Sequence, residues 1–172
     1  MYSNLTMKST EGITLAKTVS ISIPVEEIPV KNNESLESLV IRDIEKIESG
    51  LSVLGKQIPI NQDSFVDLLC VDRNGQIVVF KISVNTEDNM LFEGLTTFHD
   101  VNNVKYMLKF FNKNSKINDK ELPRLILIAP NFSTNLRNIV KNMNNVKINL
   151  YEWEYLKFGD TKTLRFKPVS AS

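Results

Sequence analysis

Apolar residues recur along this chain with two different periods, and the switches between them outline its elements. Residues 18–23 alternate β-branched and polar side chains, the period-two pattern of a strand. Pro24 and Pro29 punctuate the next stretch, and 31–33 reads as a loop. From 34 to 47 the spacing turns helical, carried by Leu36, Leu39, Val40, Asp43, Ile44 and Ile47. Ser49 and Gly50 end that stretch, Gly50 being suited to a left-handed cap.

Residues 51–60 and Phe65–Val71 then read as two strands, the second buried. Asp72, Arg73, Asn74 and Gly75 form a strong turn signal, because Asn-Gly supplies the positive φ angles of a tight hairpin. A third strand spans 76–84. A long helix from about 89 to 111 comes next, with Leu91, Phe92, Leu95, Phe98, Val101, Val104, Met107, Leu108 and Phe111 in its period. A Lys/Asn-rich loop over 112–120 precedes Arg124–Ala129, whose continuous apolar run suits a strand covered on both faces. A helix over 134–143, with Ser133 or Thr134 as N-cap, a strand over 146–152 and an edge strand over 162–167 complete the chain.

Three consecutive strands followed by alternating helix and strand imply an α/β fold with a mixed sheet and helices on both faces. The expected organisation is one compact domain: an N-terminal β extension at 1–33, a core at 34–156 and a C-terminal strand and tail at 157–172.

Composition narrows the function classes. At 172 residues the chain can bury a sizeable core unaided. Apolar residues make up 42% and charged residues 24%, ordinary for a soluble protein. No run approaches the ~18 apolar residues of a membrane span, and residues 1–17 lack the apolar core of a signal peptide, so a cytoplasmic protein without a membrane partner is expected. The formal net charge of +1 is not the footprint of a dedicated DNA-binding protein, although a basic groove on a neutral body remains compatible with one. Cys70 is the single cysteine and sits in an apolar run, which excludes an internal disulfide and any multi-Cys zinc site. His99, the single histidine, has no second His or Cys near it in sequence and reads as a surface or packing residue.

Four stretches carry a resemblance: I-E-S-G-L at 47–51, L-G-K-Q at 54–57, V-D-L-L-C-V-D-R-N-G at 66–75 and P-R-L-I-L-I-A-P-N-F-S at 123–133. In this order and spacing they resemble the PD-(D/E)XK nuclease superfamily, and within it the NucS-type endonuclease catalytic domain. The resemblance implies a restriction-endonuclease-like αβββαβ core with extra N-terminal strands. It also implies a Glu on the first helix, an Asp on the second strand and a Glu-x-Lys on the third, set around Mg²⁺ or Mn²⁺. The carboxylates hold the metal, which stabilises charge on the scissile phosphate and activates water.

Glu48 and Asp67 fall on the first two positions. On the third strand, Lys81 falls where the resemblance has Glu and Ser83 where it has Lys; a two-residue slip puts Val79 and Lys81 there instead. Ile77, Val79, Lys81 and Ser83 share one face in either register, and neither register restores the motif. An ammonium in place of a carboxylate competes with a cation, since opposite charges 4 Å apart attract by roughly 4 kcal/mol at an effective dielectric of about 20. Lys81 is therefore expected to pair with Asp67, and with Glu48 if that residue is in reach. The expected protein is a nuclease-fold pseudo-enzyme without cofactor that binds nucleic acid or a protein partner. The alternative is an endonuclease using Mg²⁺ or Mn²⁺ at a rearranged site, with Asp67, Glu48 and Lys81 catalytic and Glu45, Glu87, Asp88 or Glu93 supplying the missing ligand. Gln57, Lys81 and Ser83 are the candidate nucleic-acid contacts. DNA is one candidate partner and a second copy of the chain another. Phe92, Phe98, Tyr106, Phe110 and Phe111 are expected in the core or on a dimer face, and Trp153 and Tyr155 to cap the core or face a partner.

Overall fold

The strands marked most sharply by the apolar pattern lie at the centre of one sheet. The computed structural model describes residues 22–62, 64–86 and 88–169. The elements run β1 (Val25–Glu27), α1 (Asn33–Arg42), a 3₁₀ turn (Ile44–Lys46), β2 (Ser52–Pro59), β3 (Phe65–Val71), β4 (Ile77–Ile82), α2 (Met90–Phe111), β5 (Arg124–Ala129), α3 (Thr134–Asn142), β6 (Ile148–Phe158) and β7 (Thr161–Val169). The β2–β3–β4 meander is antiparallel, and β4–β5 and β5–β6 are parallel. β7 pairs along β6 on one edge, while the other edge of β6 is shared by β5 at 148–152 and by β1 at 156–158.

Alternating side chains divide the interior into two cores. Leu69, Val79, Leu125 and Leu127 meet Met90 and Val101 of α2 and Leu136 and Val140 of α3. Leu68, Val78, Phe80 and Ile126 meet Leu36 and Val40 of α1 on the opposite face. This is the mixed sheet flanked by helices that the alternation of elements implies.

Several details depart from the sequence pattern. The strand expected at 18–23 lies outside the described residues except for Ser22 and Ile23, which are irregular; among the described residues the first strand is β1, between the two prolines. The helix expected over 34–47 breaks at Asp43. Its carboxylate takes Arg42 at 2.9 and 3.0 Å, Lys46 at 3.0 Å and the Leu164 backbone N–H at 3.0 Å. These partners hold Asp43 well below the usual carboxylate range, the Arg42 guanidinium most of all, and they tie the end of α1 to β7.

In the β3–β4 turn Gly75 alone takes a positive φ, +87°, and Asn74 does not. Asp72 Oδ1 instead accepts the N–H groups of Asn74 (2.9 Å) and Gln76 (3.0 Å), so the aspartate organises the turn. Ser133 is the N-cap of α3, accepting from Leu136 N–H. Strand β6 continues to Phe158, so Trp153 and Tyr155 lie within it. Trp153 is buried and its Nε1 donates to Ser83 O at 3.0 Å. Of the aromatic residues expected in the core or on a dimer face, Phe98 is buried, while Phe92, Tyr106, Phe110 and Phe111 are exposed. Cys70 is fully buried, which pushes its thiol up to about 12. His99 is exposed, with Nε2 3.0 Å from Asn103 Nδ2.

Candidate active site

The β3–β4 ladder pairs Leu68 with Phe80 and then opens, leaving Asp67 and Lys81 facing each other one step beyond. Asp67 Oδ2 takes over the ladder's role by accepting the Ile82 N–H at 2.8 Å. Lys81 Nζ stands 3.6 Å from Asp67 Oδ2 and 3.1 Å from Glu93 Oε2, in the first turn of α2. Glu93 is itself fixed by Asn89, whose Nδ2 donates to Oε1 at 2.6 Å. Burial pushes the Asp67 carboxyl above its ordinary value; the Lys81 charge and the Ile82 N–H oppose that rise, and the Glu93 charge adds to it. The three charged groups open into a cleft of about 420 Å³ edged by the exposed rings of Phe65 and Phe92.

A third carboxylate reaches this end of the sheet, from the other face. Glu37 of α1 is 1% exposed, and its Oε1 accepts from Gln57 Nε2 at 2.6 Å. Gln57 lies between the pairs Lys56–Leu68 and Ile58–Val66, hence across from Asp67. Its φ of +49° is a left-handed conformation that costs a non-glycine residue on the order of 1 kcal/mol. Glu37 Oε2 is buried without a hydrogen-bond partner. Burial raises the Glu37 carboxyl above its usual range; Gln57 opposes this and the Asp67 charge reinforces it.

The structure thus brings Asp67 and Lys81 together, with Gln57 beside them and Glu93 on the same cleft. Glu48 does not join them. Arg124 Nη2 lies 2.6 Å from each of its carboxylate oxygens and 3.7 Å from Asp72 Oδ2, at the other end of β3. Asp67 and Asp72 are five residues apart along an extended chain, roughly 17 Å at ~3.4 Å per residue. Glu45 also points to that far end, accepting the Gly50 N–H at 3.2 Å. Glu87 lies outside the described residues.

Ser83 is buried. Its N–H donates to Ile128 O at 2.9 Å and its Oγ accepts from Asn85 N–H at 3.1 Å, so it faces the scaffold rather than the cleft. Glu37 is the residue that sequence reasoning missed. The signal was there: 37, 40, 44 and 47 follow helical spacing, which puts a carboxylate inside the apolar stripe of α1.

A divalent cation needs several oxygen donors converging on one point. Among the described residues no group of three or more His, Cys, Asp or Glu side chains is arranged to hold a metal ion. Between Asp67 and Glu93 stands the Lys81 ammonium, three N–H donors where a cation would require only acceptors. As these side chains stand, they do not fit Mg²⁺ or Mn²⁺.

No protein-family model matches the sequence, and no curated protein does. Among the described residues no helix is long and apolar enough to cross a membrane. Three solved structures resemble the chain, which spans about half the length of each. A repair endonuclease from Pyrococcus abyssi has a TM-score of 0.51 and 19% identity, with 74% of this chain and 50% of that one covered. An EndoMS complex with double-stranded DNA has a TM-score of 0.45 and 19% identity, covering 74% and 47%. EndoMS in its apo form has a TM-score of 0.42 and 19% identity, covering 73% and 48%. With the sheet order and its flanking helices, the likeness to the repair endonuclease identifies the fold as restriction-endonuclease-like.

Proposed function

We propose that this chain keeps a nuclease fold without nuclease chemistry and acts by binding nucleic acid. The observation that carries the first half is the Lys81 ammonium, 3.1 Å from Glu93 and 3.6 Å from Asp67. It supplies positive charge to carboxylates that would otherwise attract a cation, and it travels with the chain. No carboxylate follows on β4 to restore a ligand set, since Lys81 is flanked by Phe80 and Ile82, both turned into the opposite core. The binding half draws on the fold shared with a repair endonuclease, a protein whose substrate is nucleic acid. A cytoplasmic pseudo-enzyme with DNA as its partner, as a single chain or a homodimer, completes the reading.

The test uses single-stranded, branched and mismatched DNA incubated with the protein in Mn²⁺. The expected result is no cleavage, together with no heat of Mn²⁺ binding by calorimetry. Lys81→Glu should acquire Mn²⁺ affinity, because it removes the ammonium and adds a third carboxylate beside Asp67 and Glu93. Cleavage by the wild-type protein that disappears in Asp67→Ala would overturn the proposal and favour the rearranged metal-dependent site.

A further inference from the structure

A second cleft lies at the other end of β3, away from Lys81, and its chemistry is of opposite sign. It has a volume of about 570 Å³ and is bounded by Arg73, Asp72, Phe111, Lys113 and Lys116. Three cations face one carboxylate. That carboxylate is already committed: Asp72 Oδ1 accepts two turn N–H groups at 2.9 and 3.0 Å, and Oδ2 lies 3.7 Å from Arg124. Among the described residues none of the three cations has a carboxylate within salt-bridge distance.

Both walls are held in place by glycines whose conformation no other residue takes easily. Gly50, at φ +83°, lets the Arg73 side chain lie across its backbone, where a Cβ would overlap it. Arg73 Nη2 is then anchored on Ser49 Oγ at 2.7 Å. Gly75, at φ +87°, accepts the loop after α2 so closely that a Cβ would collide with Lys116 O. The Asn118 N–H donates to Gly75 O at 2.8 Å, and Ser115 closes the loop on Asn112 O at 2.6 Å from its hydroxyl. The cations are thus presented by backbone that is already ordered, which lowers the entropy cost of binding.

The cleft also offers a ring. Phe111 lines it and is 73% exposed. Phe110 packs edge-on against Phe111, with centroids 5.5 Å apart, and carries the Lys113 ammonium 5.4 Å above its own face. Cations tracking a phosphate backbone beside an aromatic face free to stack on a base are the combination that binds unpaired nucleic-acid strands. In a duplex, stacking on the neighbouring base pairs leaves no free face to offer.

We propose that this cleft binds a segment of single-stranded nucleic acid, with Arg73, Lys113 and Lys116 on its phosphates and Phe111 stacked on a base. This rests on the binding half of the proposed function and not on the loss of cleavage. It locates binding at the end of the sheet opposite the Asp67–Lys81–Glu93 cluster.

The experiment is fluorescence anisotropy with a labelled oligothymidylate in EDTA, titrated at several salt concentrations. Wild-type protein should bind in low salt, with duplex of equal length competing poorly. Arg73→Ala combined with Lys113→Ala and Lys116→Ala should weaken binding at least tenfold and reduce the slope of log affinity against log salt by about 2, from ~0.7 per phosphate contact. Phe111→Ala should weaken binding about tenfold and leave the slope unchanged. Lys162→Ala, on the distant edge strand β7, should bind as wild type, and thermal melts should confirm that all variants fold. Binding untouched by the triple variant, or duplex competing as well as single strand, would overturn the cleft assignment alone. No binding by the wild-type protein would overturn both the cleft and the binding half of the proposed function. Neither result bears on cleavage, which needs Mn²⁺ and is read separately.

Discussion

Each end of β3 carries a cation set between carboxylates, and the two clusters are built for different ends. At the β3–β4 turn, Arg124 is 3% exposed and grips both oxygens of Glu48 at 2.6 Å, with Asp72 behind it. A single guanidinium nitrogen, Nη2, spans the two carboxylate oxygens of Glu48. At the open end of the ladder, the Lys81 side chain is 22% exposed, its two contacts are looser, and its carboxylates border a cleft. Burial has pushed Asp67 and Glu37 above their ordinary values, and Glu37 retains an oxygen without a partner. Each end keeps one buried polar atom without a partner, Arg124 Nε and Glu37 Oε2. The Arg124 clasp buries its cation against short ionic contacts, whereas the Lys81 cluster leaves its cation partly exposed on a cleft. That difference separates the two kinds of ion pair on this sheet more clearly than sequence position does.

Removing the cation at each end in turn tests this distinction most severely. Arg124→Ala should have the largest effect, a loss of about 3 kcal/mol in urea unfolding, because Asp72 is left buried without its cation and β5 loses a buried side chain. A loss smaller than that of the Lys81 variant would mean that the clasp is not a structural element.

Lys81→Met should cost less, about 1–2 kcal/mol at pH 7, and its cost should depend on pH. Without Lys81, the Asp67 carboxyl rises further above its unfolded value of about 3.9. An acid whose folded value is raised destabilises the protein above that value, and the penalty is relieved as pH falls through it. The difference between Lys81→Met and wild type should therefore shrink from pH 7 towards pH 4, measured by thermal melts across that range. A difference independent of pH would mean that Lys81 acts through packing of its stem rather than through its charge.

How much of this was legible in the sequence depends on the information each pattern encodes. Phe65–Val71 and Arg124–Ala129 coincide with β3 and β5 because both are central strands buried on both faces, where burial and sequence pattern match. Strand β6 was legible only to Glu152, since its buried residues, Leu150, Trp153 and Leu156, recur every third position, a period of neither strand nor helix. The break of the first helix was hidden because it depends on Leu164, more than a hundred residues away.

The candidate site divides in the same way. Asp67 and Lys81 could be paired from adjacent strands, whereas Glu93 approaches from a helix whose rotation is set by packing on β4 and β5. Glu48 looked like the helix carboxylate because it closes the helical stretch beside Ser49 and Gly50, but that position points to the clasp. Glu37 sits about three turns earlier, on the stripe that faces the sheet.

The smallest predicted effect is the most pointed, because it runs against the usual direction. Glu37→Gln keeps an oxygen to accept from Gln57 Nε2 and removes the charge that burial and Asp67 both disfavour. It should raise stability at pH 7 by about 1 kcal/mol, or the melting temperature by roughly 3 °C. The wild-type protein should recover this deficit as pH falls through the raised Glu37 value towards 4.5, since protonation then removes the same charge. The corresponding neutralisation at the other end, Glu48→Gln, should destabilise instead, because Arg124 loses an ionic partner at 2.6 Å. Opposite signs for two glutamate-to-glutamine changes on one sheet would set the two ends apart by a single pair of melts. Equal destabilisation by both would show that Glu37 is held as firmly as Glu48, and the open end would then be a second clasp.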